Sequence, residues 1–182
     1  MRRETKVRVI SFVFIVLALA GCGEKNKPAV TAIQNAGAIP DQESWKSRIV
    51  FSDSGLTRAI VNAEHIRMYE ARRETLLDSG LVVHFYSMSG VHTSKLTALR
   101  GRVDDATKDL EAFDNVVFSS DSGTVVRTEY LFWDHDTRRV RSDRFVTVTS
   151  PKERLQGYGF EADQGLKNYV IYRVSLEAEV EK

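Results

Sequence analysis

The chain has 182 residues, 26 Lys and Arg against 25 Asp and Glu for a formal net charge of +1, and a single cysteine. A near-balanced charge excludes the large positive excess of a nucleic-acid binder, and a lone cysteine excludes an internal disulfide framework and a Cys-based metal site. The length suits one domain with a real core.

The N-terminus has the three parts of a secretory signal. Arg2, Arg3, Lys6 and Arg8 form a basic start with Glu4 as the only acid, Val9 to Ala20 is apolar apart from Ser11, and Leu19-Ala20-Gly21-Cys22 follows. The apolar run is short for a permanent span, which needs about 20 residues. The tetrapeptide matches a bacterial lipobox at each position. It predicts cleavage of residues 1–21 as a signal peptide, diacylglycerol on the Cys22 sulfur and acylation of the new amino group. Lipidation also accounts for a lone thiol in an oxidising envelope. Without residues 1–21 the balance is 22 basic to 24 acidic, a net charge of −2. Gly23 stands where an Asp marks inner-membrane retention in many bacteria, which leaves outer-membrane sorting open. Gly23 to Ser44, with Pro28, Gly37 and Pro40, reads as a flexible tether. With the lipidated residue it makes a linker of 22–44, before a folded domain over 45–175 and a charged tail over 176–182.

From Trp45 onward the pattern predicts strands separated by turns. Arg48 to Phe51 leads to the turn Ser52-Asp53-Ser54-Gly55. Thr57 to Glu70 carries the β-formers Ile60, Val61, Ile66 and Tyr69. Ala59 to Asp78 has some helix-friendly composition, but those β-branched residues tip it to strand. Ser79-Gly80 precedes Leu81 to Tyr86, and Met88-Ser89-Gly90 is a turn. Val116 to Phe118 follows Asp114-Asn115, and Thr124 to Trp133 follows Ser120-Asp121-Ser122-Gly123. Asp134-His135-Asp136 is a turn, and Phe145 to Thr149 ends at Pro151. Strands at this spacing indicate an all-β sandwich, barrel or roll. Alternation places Val126, Thr128, Tyr130 and Phe132 on one face and Val125, Arg127 and Glu129 on the other, as in an antiparallel sheet wet on one side. A weak repeat aligns Asp105–Ala112 with His135–Ser142, each a polar turn with Thr and a basic residue leading into a strand.

Other residues carry weaker signals. Arg138, Arg139, Arg141 and Arg144 form a basic run that reads as a solvated strand face, with phosphate contact as the alternative. His65, His84, His92 and His135 lack a ligand spacing. By alternation His84 pairs with Tyr86 on one face and His92 with Ser94. Asp104-Asp105 and Asp134-His135-Asp136 fall in turns, where Asp serves the backbone. No Gly-x-Ser-x-Gly, His-Glu-x-x-His or phosphate loop is present, so no cofactor, metal or enzymatic activity is expected.

Over residues 45–175 the chain resembles the LptC family of the OstA-like superfamily, periplasmic proteins of lipopolysaccharide export. The resemblance rests on Ser52-Asp53-Ser54-Gly55 followed by Ala59 and Ala63–Tyr69, on Leu96–Asp105 with Gly101-Arg102-Val103, and on Phe113-Asp114-Asn115-Val116-Val117. It continues through Thr128-Glu129-Tyr130-Leu131 and Gln156-Gly157-Tyr158-Gly159-Phe160-Glu161-Ala162-Asp163. It implies an open antiparallel β-jellyroll with an apolar groove. That groove would take lipopolysaccharide from an inner-membrane ABC transporter and pass it to an LptA-like periplasmic partner through paired strand edges. It places the domain on the periplasmic side of the inner membrane. The lipobox departs from the transmembrane helix of well-known members, so the membrane contact here would be the N-terminal lipid. Ile66, Phe85, Val126, Tyr130, Phe132 and Phe160 become candidates for acyl contact in the groove. Gly157 and Gly159, which suggest a close approach or bulge, are candidates for the partner edge. The competing reading is a β-edge assembly scaffold that carries no lipid.

Overall fold

The computed structural model describes residues 39–179. The expected signal peptide, Cys22 and all but the end of the tether lie outside the described residues. The ten strands, in chain order, are β1 (Gln42–Asp53), β2 (Leu56–Tyr69), β3 (Glu74–Tyr86), β4 (His92–Ala98), β5 (Arg100–Asp104), β6 (Leu110–Ser120), β7 (Val125–Trp133), β8 (Arg139–Thr149), β9 (Glu153–Asp163) and β10 (Tyr169–Glu179). Strand thus begins at Gln42, within the stretch whose composition suggests a tether, and β10 runs into the stretch that reads as a tail. A single 3-10 turn, Glu70–Arg72, joins β2 to β3.

All strand pairs are antiparallel and form one sheet, ordered β1-β2-β3-β4-β6-β7-β8-β9-β10, with β5 between β3 and β6. Sequential hairpins explain the order, because each strand apart from β5, which follows β4 after a break at Leu99, returns against its predecessor through a short turn. Ser54 (φ 53) and Gly55 (φ 78) make the β1–β2 turn, with both central residues left-handed as a two-residue hairpin requires. The repeat suggested by the sequence is a repeated turn. The N–H of Lys108 donates to the carbonyl of Asp104 at 2.7 Å and that of Arg138 to Asp134 at 2.9 Å. In both loops the Asp carboxylate accepts backbone N–H groups, from Ala106 and Thr107 in one and Thr137 in the other. In both, the basic residue takes positive φ (67 and 55).

A line of irregularities crosses the sheet at mid-strand. It runs through Glu64 on β2, Ser79–Gly80 on β3, the β4–β5 break at Leu99, Asp114–Asn115 on β6, Glu129 on β7, Asp143–Arg144 on β8 and Gly159 on β9. Each bulge bends its strand and adds local twist, so the sheet curls along this crease. The curl is visible in the register. Phe85 belongs to the row Ala59–Phe85–Ser94–Ser120, at one end of β6. Trp133 belongs to the row Leu110–Trp133–Val140–Ala162, at the other end. Their rings nevertheless meet, with centroids 5.1 Å apart. The result is an all-β, jellyroll-like roll with one apolar face inside, where Phe85, Phe118, Phe160, Leu77, Leu96 and Leu131 are the largest fully buried side chains.

The crease also breaks the simple alternation. Val126 and Thr128 are buried, but after Glu129 the buried positions of β7 are Leu131 and Trp133. Tyr130 and Phe132 therefore lie on the face opposite Val126, contrary to the one-face expectation. The cause is the bulge that sets Asp114 and Asn115, both with positive φ, against the single residue Glu129. That puts the two strands one residue out of step across the crease: β6, which carries the extra residue, keeps its alternation from Ala112 to Val116, and β7 gives up its own between Thr128 and Leu131. A similar shift at the end of β3 (between Phe85 and Tyr86) separates His92 from Ser94: Ser94 is buried, whereas His92 joins His84 outside.

Candidate functional site

The interior of the roll is an apolar compartment built from alternate residues of β2 to β9. Four of the six groove candidates lie in it: Ile66, Phe85, Val126 and Phe160, all 2 % exposed or less. Phe85 sits edge-on to Phe118 at 5.8 Å and tilted against Trp133 at 5.1 Å. One end is shut by the β9–β10 turn. Leu166, with φ 53, inserts into the core at 2 % exposure. The buried side chain of Gln164 spans three elements: its amide N–H groups donate to the Tyr86 carbonyl (3.2 Å) and Thr93 Oγ1 (3.3 Å), and its Oε1 accepts from Trp133 Nε1 (3.3 Å). The Ser94 hydroxyl donates to the Gln164 carbonyl at 2.7 Å. Asp163 holds this turn in shape. Burial raises its pKa, but the N–H groups of Lys167, Asn168 and Gly165 and the Asn168 amide outweigh that and hold the carboxyl below its ordinary value.

Tyr130 and Phe132 line a separate groove on the outer face, of about 690 Å³, over the gap where β7 and β8 lose pairing between Thr128 and Phe132. Arg141, Tyr158, Tyr172 and Arg173 line it as well, and Phe160 and Gly159 reach it from β9. The Tyr130 hydroxyl donates to Glu111 at 3.3 Å; burial, then the Glu111 charge, pushes that phenol up. A second hollow of about 820 Å³ shares Tyr130 and Asp143 with the first and adds Phe113, Arg144 and Phe145.

Gly157 and Gly159 lie on β9, which is hydrogen-bonded to both β8 and β10. The unpaired edge on that side is therefore β10, with β1 as the edge on the other. A Cβ on Gly157 would stand 2.2 Å from the Arg173 carbonyl oxygen, and Gly159 has φ +76, so the glycines serve a close approach and a bulge. On β10, the open edge strand, Val170, Tyr172, Val174 and Leu176 are exposed, on both faces of the strand because the crease at Gly159 interrupts its alternation.

The basic run disperses. Arg139 pairs with Glu161 at 2.6 Å, Arg144 with its neighbour Asp143, Arg141 covers the Phe132 ring, and Arg138 contacts Met88. His84 and His92 form a contact that sequence spacing does not reveal, because it is diagonal across β3 and β4. Nδ1 of His84 and Nε2 of His92 are 3.1 Å apart, and Asp121 holds the other nitrogen of His92 at 2.9 Å. Burial, then the His92, Lys95 and Arg48 charges, lowers the His84 pKa. Among the described residues no group of three or more His, Cys, Asp or Glu is placed to hold a metal ion. No helix among them is long and apolar enough to cross a membrane. The sequence pattern misses Trp133, Gln164 and Leu166 as closing residues, since a glutamine in a polar turn carries no local mark of burial.

No curated protein matches this sequence significantly. The family model described as "Lipopolysaccharide-assembly, LptC-related" matches residues 43–173, from the start of β1 into β10. The matched span contains the whole interior compartment and the outer groove, and the chain belongs to this LptC-related family of lipopolysaccharide-export components, which are non-enzymatic and act in the periplasm in association with the inner membrane.

Proposed function

We propose that this protein receives lipopolysaccharide from an inner-membrane ABC transporter, holds its acyl chains inside the roll and passes them to an LptA-like periplasmic partner. The observation that carries the reading is the continuous apolar interior around Phe85, Phe118, Val126 and Phe160. An acyl chain exposed to water loses roughly 0.8 kcal/mol per methylene, so a lipid with several chains needs such a lining throughout its transit. The interior is filled by its own side chains. Entry of a chain therefore requires the ends of the roll to part, and the turn at Gln164–Leu166 is the closure at one of them. Handover requires no covalent chemistry. The open edges of β10, with its exposed apolar side chains, and of β1 suit strand addition by neighbouring proteins. Lipidation of Cys22 would hold the domain at a membrane while a tether allows it to reach a partner.

Trp45 and Trp133 are the two tryptophans of the chain. In the full-length Trp45→Phe variant, emission reports on Trp133 alone, which packs on Phe85 inside the roll. Titration with lipopolysaccharide in detergent is expected to shift that emission saturably. Lipopolysaccharide that binds without altering Trp133 would refute an interior site. The scaffold reading draws on the fully packed interior, and it predicts partner binding through β1 and β10 with no response of Trp133.

A further inference from the structure

On the outer groove, we propose a binding site for an anionic sugar, one bearing carboxylate or phosphate groups. The inference goes beyond the proposed function and uses the opposite face of the sheet. Tyr130, Phe132, Tyr158 and Tyr172 present rings along the groove, and two arginines lie over ring faces there. The Arg141 guanidinium carbon is 4.3 Å from the Phe132 ring centre, and that of Arg173 is 5.6 Å from Tyr158. A cation–π contact of this kind helps to hold a guanidinium in place while its N–H donors stay available to an anion.

The acidic groups of the groove are already committed. Glu111 accepts from Arg102 at 2.6 Å and from the Tyr130 hydroxyl, Glu161 accepts from Arg139 at 2.6 Å and from the Tyr172 hydroxyl at 2.7 Å, and Asp143 faces Arg144 at 3.3 Å. Tyr172 and Arg139 hold Glu161 below the usual carboxylate range, so it stays charged and engaged. Arg141 and Arg173 have no ion-pair partner among the described residues. Two uncommitted planar cations on an aromatic floor match a ligand with an anionic group to take the forks and ring faces to lie on the aromatics. An acyl chain would leave both guanidinium groups desolvated without compensation. A sugar chain meets both demands, and the adjoining hollow that shares Tyr130 and Asp143 gives room for more than one unit.

The test is a nuclear magnetic resonance titration of the full-length protein in detergent with trigalacturonic acid, maltotriose and inorganic phosphate. Saturable shifts are expected at Tyr130, Phe132, Arg141, Tyr158, Tyr172 and Arg173 with the acidic trisaccharide. Maltotriose and phosphate should each bind at least about tenfold more weakly, since each lacks one half of the recognition. Arg141→Gln and Arg173→Gln, at exposed positions, should each weaken binding by about fivefold or more with the spectrum otherwise intact. Equal affinity for maltotriose, shifts confined to another surface, or unchanged binding in both variants would overturn the proposal. Adenosine monophosphate supplies a flat aromatic anion, and its binding more tightly than the trisaccharide would do the same. Trp133 should not respond to trigalacturonic acid, which separates this site from the interior one.

Discussion

Gly157 of β9 lies directly beneath the backbone carbonyl of Arg173 on β10: a side-chain carbon there would come within 2.2 Å of the oxygen and 2.7 Å of Ile171 Cγ2. Backbone cannot give way as a flexible side chain can. Gly157→Ala is therefore expected to destabilise the protein by about 1–3 kcal/mol, the range for overpacking, and to loosen β10. Gly159→Ala, at φ +76, should cost roughly 1–2 kcal/mol through the left-handed backbone. Gly165→Ala meets only ordinary contacts, the nearest at 3.4 Å, and should stay within about 0.5 kcal/mol of the parent. Urea unfolding of the three variants checks the ranking.

Gln164 ties the β9–β10 turn to β3, β4 and β7. Gln164→Ala removes one side chain but takes a partner from the buried Trp133 Nε1 and from the part-buried Tyr86 carbonyl and Thr93 hydroxyl, so a loss of about 1–3 kcal/mol is expected. Amide exchange should accelerate at the β3–β4 hairpin tip and around Leu166, and little in β2. Uniform acceleration across the sheet would show that the glutamine does not act as a local latch.

Stability should depend on pH at both extremes. The Thr137 backbone N–H lowers the Asp134 carboxyl, and the Asp163 carboxyl is also lowered, by its turn. A depressed carboxylate contributes stability above its ordinary value of 3.8, and the contribution is lost as the pH falls through the lower folded value. Asp163→Asn should flatten that acid limb. Burial, then the bond to Glu153, pushes Tyr169 up to about 12. Its contribution is complete below the ordinary value of 10 and disappears as the pH rises from 10 to about 12. Tyr169→Phe should make this basic limb shallower, though Tyr130 and Tyr172 are raised as well and retain part of it.

The hairpin turns were the legible part of the fold, because Ser54-Gly55, Asp104 and Asp134 declare their backbone chemistry locally. The strand faces were legible only up to the crease. Asp114-Asn115 and Gly159 belong to residue types that tolerate positive φ, but nothing at Glu129 marks the point where β7 reverses its phase. This is why Val126 and Phe132 share a face by alternation but not in the fold. The outer groove was illegible for the same reason. It forms from Tyr130, Arg141, Tyr158 and Arg173 on four strands, brought to one face only after bulges shift their phases.

The central claim is that acyl chains lie within the roll. It is tested most directly by placing a photoreactive phenylalanine analogue at Phe85, which is 0 % exposed, in cells, with the same residue at Val50, which is 50 % exposed on β1, as the comparison. On irradiation, Phe85 should yield an adduct with lipopolysaccharide and Val50 should not. Lipopolysaccharide adducts absent from Phe85, with Val50 or Val174 crosslinking only protein, would contradict an interior lipid site and leave the roll as an assembly scaffold.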